Sequence, residues 1–156
     1  MVTVLETPHV IVASAIAYKI GNPYLAIPLS FASHFVLETV PHWNPHILTE
    51  LKKFGAVTQK SKLIIVVDVL LAFVSGFFIA STTLPDTSHF WTILFSGFFG
   101  VLPDLIEAPY FFLKWKNKFL EWWIKGQKAL QSDAPPFTGI LTQAVTIFAA
   151  VLWILN

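Results

Sequence analysis

The sequence has no cysteine, which excludes disulfides, thiolate nucleophiles and cysteine-ligated metals. It has no arginine either, so all ten basic residues are lysine. Charge of both signs is scarce. Only 12% of the 156 residues are charged, against roughly 25% in an average soluble domain. The net charge of +1 offers no basic field for nucleic acid. What fills the chain instead is apolar: 55% of residues are hydrophobic and the mean hydropathy is +0.67. Long apolar runs with so few charges point to lipid as the solvent. The first fourteen residues carry Glu6, Pro8 and His9 and lack a basic stretch, so no cleavable signal peptide is expected. The length suits one transmembrane domain over 1–156.

Five apolar segments stand out, at about 8–20, 24–40, 63–84, 90–113 and 137–155. A spanning helix needs roughly 20 residues, so segment 8–20 is short: it spans with a frayed end or forms a re-entrant hairpin with its neighbour. Thr7-Pro8 reads as an N-cap and first helical position, and Gly21-Asn22-Pro23 as a turn. In hydrocarbon the backbone must satisfy itself, and the period-2 alternation of a barrel is absent. The expected fold is therefore an all-α polytopic bundle.

Lysines orient it. Loop 41–62 holds Lys52, Lys53, Lys60 and Lys62, and loop 114–136 holds Lys114, Lys116, Lys118, Lys125 and Lys128. Connections 21–23 and 84–89 hold none, so the positive-inside rule puts the two lysine loops in the cytoplasm. The N-terminus is then inside and the C-terminus outside, with Lys19 snorkelling to the outer interface. Trp115, Phe119, Trp122 and Trp123 recur at helical spacing among lysines, which predicts an interfacial amphipathic helix over 114–130. The alternative is a continuation of the fourth span.

An ionisable residue inside a span is expensive and marks function by default. The candidates are His9, His34, Glu38, Asp68, Asp104 and Glu107, with His42 and His46 just past the second span. At about 1.5 Å rise per residue, His34, Asp68 and Glu107 all lie roughly 9–10 Å from the same membrane face, and Asp104 about 15 Å. Spans of alternating direction thus deliver them to one level. His34, Glu38 and His42 repeat every four residues, which favours His42 over His46 as a ligand, although Pro41 kinks or ends the helix there. Asp104 and Glu107 share a face, and Pro103 frees a carbonyl one turn earlier.

Imidazole and carboxylate donors without thiolate suit zinc, and also manganese or ferrous iron. The expected ligands are His9, His34, Glu38, His42, Asp68 and Asp104, enough for more than one ion. A metal-activated water would be the nucleophile, with Glu38 or Glu107 as general base. Glu107 alternatively orients a histidine ligand. Each group has a plainer reading. A lone histidine in a span is often a packing residue. Asp68 has a helix terminus or a buried lysine as its alternative partner. Asp86, His89, Glu121 and Asp133 read as loop or solvated residues.

Thr7-Pro8-His9 opening one apolar helix, His34-x-x-x-Glu38-x-x-Pro41-His42 closing the next, and Leu102-Pro103-Asp104 later resemble small bacterial inner-membrane proteins described as membrane-bound metal-dependent hydrolases of the YdjM/YbcI type. The histidine helix ending in Pro-His is also similar to a motif of zinc-dependent phospholipase C and P1-type nucleases, where Asp commonly stands in the place of Glu38. The resemblance covers most of 7–107. It implies phosphoester or lipid-related hydrolysis at two or three metal ions near the membrane surface, and it selects His9, His34, Glu38, His42 and Asp104, with Asp68 less firmly. Two rival expectations stand beside it: a proton or metal-ion carrier, and a non-catalytic membrane scaffold.

Overall fold

The computed structural model describes residues 5–156, which form seven α-helices in chain order: α1 Glu6–Ile20, α2 Pro23–Glu38, α3 Ile47–Phe54, α4 Gln59–Ser81, α5 Thr87–Phe112, α6 Lys118–Leu130 and α7 Pro136–Leu155. The described residues contain no strand beyond one isolated bridge between His42 and Asp133.

Three helices, α4, α5 and α7, are long and apolar enough to cross a membrane, fewer than the five expected. The reason is length. Helix α1 has 15 residues and α2 has 16, about 22 and 24 Å at 1.5 Å per residue, against a hydrocarbon core of about 30 Å. The three long helices turn large apolar side chains outward. On α4 alone Leu63, Val66, Leu70, Phe73, Val74 and Phe78 are more than half exposed, an arrangement that water would penalise and lipid would not.

Helix α1 is the centre of the bundle, packed against α2, α4, α5 and α7. Its sequence explains this, because from Val10 to Ala17 it is apolar or small on every side, as a helix enclosed by others must be. Close approach is secured by small residues, as lipid-solvated helices require. A Cβ on Gly100 would come within 2.7 Å of Ala13 Cβ and 3.3 Å of the His9 carbonyl oxygen. Ser30 Oγ donates to the Ala13 carbonyl at 3.2 Å, tying α2 to α1 at the same height.

These contacts also set the levels. Glu6 and Thr7 lie beside Asp68 of α4, nine residues or about 14 Å along from the start of α4. Ala17 lies beside His89, in the first turn of α5. The α1–α2 pair therefore reaches the end of the bundle where Lys19 is the one lysine but stops well short of the lysine-rich end. Helices α3 and α6 and the segment 39–46 occupy the lysine-rich end. Here Ile47, Leu48, Val57, Phe111 and Ile124 form a second small core.

Local expectations are corrected in several places. The N-cap of α1 is Leu5 rather than Thr7, and it has no side-chain cap of its own. Loop 41–62 contains α3, whose buried Ile47 and Leu48 were hidden among lysines and histidines. The amphipathic helix expected over 114–130 begins at Lys118, after a break in which Lys114 adopts a positive φ of 57°. It is separate from α5, so the fourth span does not continue. Asp86 is the N-cap of α5 and accepts from the His89 N–H at 3.0 Å, while His89 is helical.

Candidate functional site

At the level where α1 and α2 stop, the bundle holds its polar residues. His9 from α1, His34 and Glu38 from α2, and Asp104 and Glu107 from α5 are all buried. His9 and His34 stack with ring centroids 4.4 Å apart. His9 Nε2 lies 3.7 Å from Glu38 Oε1, and His34 Nε2 lies 3.6 Å from Asp104 Oδ1. Glu6, one turn before His9 on the same face, is within electrostatic reach of Asp104, Asp68, Glu38 and Glu107. All ten lysines are exposed. Among the described residues, the ion pairs of this region involve histidine and no lysine.

Gln127 of α6 is the residue that joins the cluster together. Its amide donates to Asp104 Oδ1 at 3.2 Å and to Glu107 Oε1 at 3.1 Å. Its oxygen lies 3.1 Å from His34 Nε2. His34 Nδ1 lies 2.9 Å from the Gly100 carbonyl, which can only accept, so Nδ1 carries a hydrogen and donates. The freed carbonyl expected from Pro103 is that of Phe99; the one taken by a side chain is its neighbour, Gly100. With Nδ1 donating, a neutral His34 presents a lone pair at Nε2 to two oxygens. Turning the Gln127 amide over would instead give His34 Nε2 a donor and face the amide oxygen to Asp104 and Glu107.

His42 shows the same pattern. Its Nδ1 donates to the Val40 carbonyl at 2.6 Å, and its buried Nε2 has no hydrogen-bond partner. The helical phase that selected it does not exist, since α2 ends at Glu38. His42 is instead placed by a strap after α6. The Ser132 N–H donates to the Glu38 carbonyl, the His42 N–H to Ser132, and the Ala134 N–H to His42. Asp133, read as merely solvated, is exposed but belongs to that strap. A cavity of about 20 Å³ is lined by His9, His42 and Gln143 among others, room for roughly one water-sized group. His9 Nδ1, His42 Nε2 and Gln143 Oε1 all lack partners. His46, the disfavoured alternative, is exposed.

Asp68 is differently employed. Its carboxylate accepts from the Glu6 N–H, from the Thr7 N–H at 3.2 Å and from the Thr7 hydroxyl at 2.6 Å. It caps α1 from a neighbouring helix. The expected ligand thus takes the alternative role of partner to a helix terminus, which satisfies N–H groups that lipid cannot.

Two residues of the buried cluster escaped the sequence reading. Glu6 precedes the apolar run but stands three residues before His9, a signal that was available. Gln127 is neutral, yet it continues the buried stripe of Leu120 and Ile124 on α6. A polar residue on an apolar stripe was its mark.

Among the described residues, no three histidines or carboxylates converge closely enough to enclose an ion as the side chains now stand. At 3.6 and 3.7 Å the two histidine–carboxylate separations are too long for hydrogen bonds. No family model, curated protein or solved structure matches this chain.

Proposed function

We propose that this chain is a membrane-embedded metal-dependent hydrolase that acts on a phosphoester or lipid-like substrate at the cytoplasmic leaflet of a bacterial inner membrane. The supporting observation is the orientation of His34. Its Nδ1–H is fixed on the Gly100 carbonyl and its Nε2 faces oxygens, the arrangement by which proteins orient metal-ligating imidazoles.

His9, His34, Glu38 and Asp104 would hold the ion, with Glu6 within reach. The donor set suits zinc, with manganese or iron as alternatives. The metal would supply a water activated for attack near neutral pH. Glu107, held by Gln127 rather than by a histidine, would serve as the general base. Asp68 is left to the helix cap and His42 to the neighbouring cavity. The lysines of α6 and of the 114–117 segment would draw an anionic head group toward the site.

The test is elemental metal content of detergent-purified protein, for wild type, His34→Ala and Asp104→Ala. Near-stoichiometric zinc, manganese or iron in the wild type, lost from both variants, is the expected result. No metal after reconstitution at neutral pH, with both variants folded, would sink the hydrolase reading and leave a proton relay or a scaffold.

A further inference from the structure

Between α4 and α5 lies a lipid-facing groove of about 360 Å³. Its origin is visible in the sequence. Gly76 and Gly97 both face Val10 of α1, where an added Cβ would come within 2.8 and 3.4 Å of Val10 Cγ1. Both long helices therefore settle onto α1, and the missing side chains leave a channel whose floor includes Val10 and Ala72. Its walls include the half-exposed rings of Phe73, Phe77 and Phe98.

On α5 the lining runs from Ile93 to Leu105, about 18 Å along the helix axis, more than half the depth of a hydrocarbon core of about 30 Å. One end is wholly apolar. At the other, Val69 adjoins Asp68, Leu105 adjoins Asp104, and Glu6 itself lines the groove. Among the described residues Glu6 is the sole charged residue of the lining, and its Oε2 is buried without a hydrogen-bond partner. Through Glu6, which is also within electrostatic reach of Glu38, Asp104 and Glu107, this end of the groove meets the polar cluster, and the groove runs alongside two helices that lipid chains would flank.

We propose that this groove holds one hydrocarbon chain of a bilayer lipid, with the polar head of that lipid directed to the His/carboxylate cluster. The assignment of the head as substrate rests on the hydrolase reading; the chain site does not. A lining that is apolar apart from one polar end is what an amphiphile requires. The lipid then approaches laterally from the bilayer, and the fit of its chain positions the reacting group with binding energy remote from the chemistry.

The experiment uses full-length protein in phosphatidylethanolamine/phosphatidylglycerol vesicles doped with a phospholipid carrying a diazirine in its acyl chain. Adducts mapped by mass spectrometry should concentrate on Phe73, Phe77 and Phe98. Val74 and Phe148, exposed elsewhere on the bundle, should remain weakly labelled. Ala72→Phe, or Val101→Phe should the first fail to fold, fills the groove. Either should lower groove labelling and the ratio of long-chain to short-chain phosphoester hydrolysis by roughly tenfold. Uniform labelling of all lipid-facing residues, or an unchanged ratio in both filled variants, overturns the proposal. Groove labelling without hydrolysis of either substrate supports the chain site and removes the hydrolase reading.

Discussion

At the scale of single residues, position in a span does not say what a carboxylate does; its partners do. Asp68 and Asp104 were both expected ligands, each an acid within an apolar helix, with Asp104 the deeper of the two. Asp68 meets the N-terminus of α1 and is consumed as a cap, whereas Asp104 meets His34 and Gln127. The two substitutions should therefore diverge. Asp68→Ala strands the Glu6 and Thr7 N–H groups and is expected to cost about 1–3 kcal/mol of stability. It should leave metal content unchanged, while Asp104→Ala loses the metal. Thermal unfolding beside elemental analysis separates them, and metal loss in Asp68→Ala with unchanged stability would reverse the assignment. Glu50 is a second cap, at the start of α4. It accepts from the Thr58 N–H at 2.8 Å and the Ser61 hydroxyl at 2.7 Å. Burial alone would raise its pKa, but these bonds to Thr58 and Ser61 outweigh it and hold the carboxyl below its ordinary value of 4.5. A depressed pKa stabilises the fold above the ordinary value and stops doing so as pH falls through the lower one. Glu50→Gln should speed amide exchange at the start of α4 at pH 7 by no more than about fivefold, as befits a solvated group. That difference should close toward pH 3. A gap that persisted in acid would show that ionisation is not the cause.

At the scale of elements, α6 is the piece whose role the sequence conceals. Its amphipathic pattern was legible, and lysines with tryptophans suggested a helix resting on a lipid surface. Its inward face instead covers the cluster. Trp123 Nε1 donates to the Pro103 carbonyl at 3.0 Å, and Gln127 reaches Asp104 and Glu107. Gln127→Leu should therefore disturb the site more than the helix. Loss of its buried hydrogen bonds is expected to cost about 1–3 kcal/mol and to weaken metal retention, with helical content unchanged by circular dichroism. Metal retention equal to wild type would make α6 a surface helix only. The apolar runs gave the five principal helices to within a few residues, because lipid solvation writes length and composition directly into sequence. They did not give α3, whose two buried apolar residues are too few to form a pattern, nor the end of α2 at Glu38, where Pro41 was read as a kink or a stop. Of the site, His9, His34, Glu38, Asp104 and Glu107 were legible as costly intramembrane groups. Glu6 and Gln127 were not, because Glu6 lies outside the apolar run and the burial of Gln127 depends on α6 folding back across α2 and α5.

At the scale of the molecule, unequal helix lengths create the site. If α1 and α2 ran the full depth of α4 and α5, their ends would be in water and the cluster would lie mid-helix, sealed by apolar neighbours. Because they stop about 14 Å along α4 from its first residue, a recess opens toward the lysine-rich end and α3, α6 and the strap at 131–134 close over it. The same levels predict topology. Ala17 stands beside His89, so the Gly21–Pro23 turn belongs to the face opposite the lysine-rich end, together with the start of α5. The absence of native cysteine makes this directly measurable. Single cysteines at Tyr24, Ser88 and Asn156 should react with a membrane-impermeant maleimide added outside intact cells. Those at Lys53 and Lys116 should react only after permeabilisation, as lysine placement demands. Should the Tyr24→Cys thiol be labelled with the Lys53→Cys class, α1 and α2 would open away from the lysine-rich face. The recess would then face the opposite leaflet from the head groups that the lysines attract, and a site served from the cytoplasmic side would be untenable.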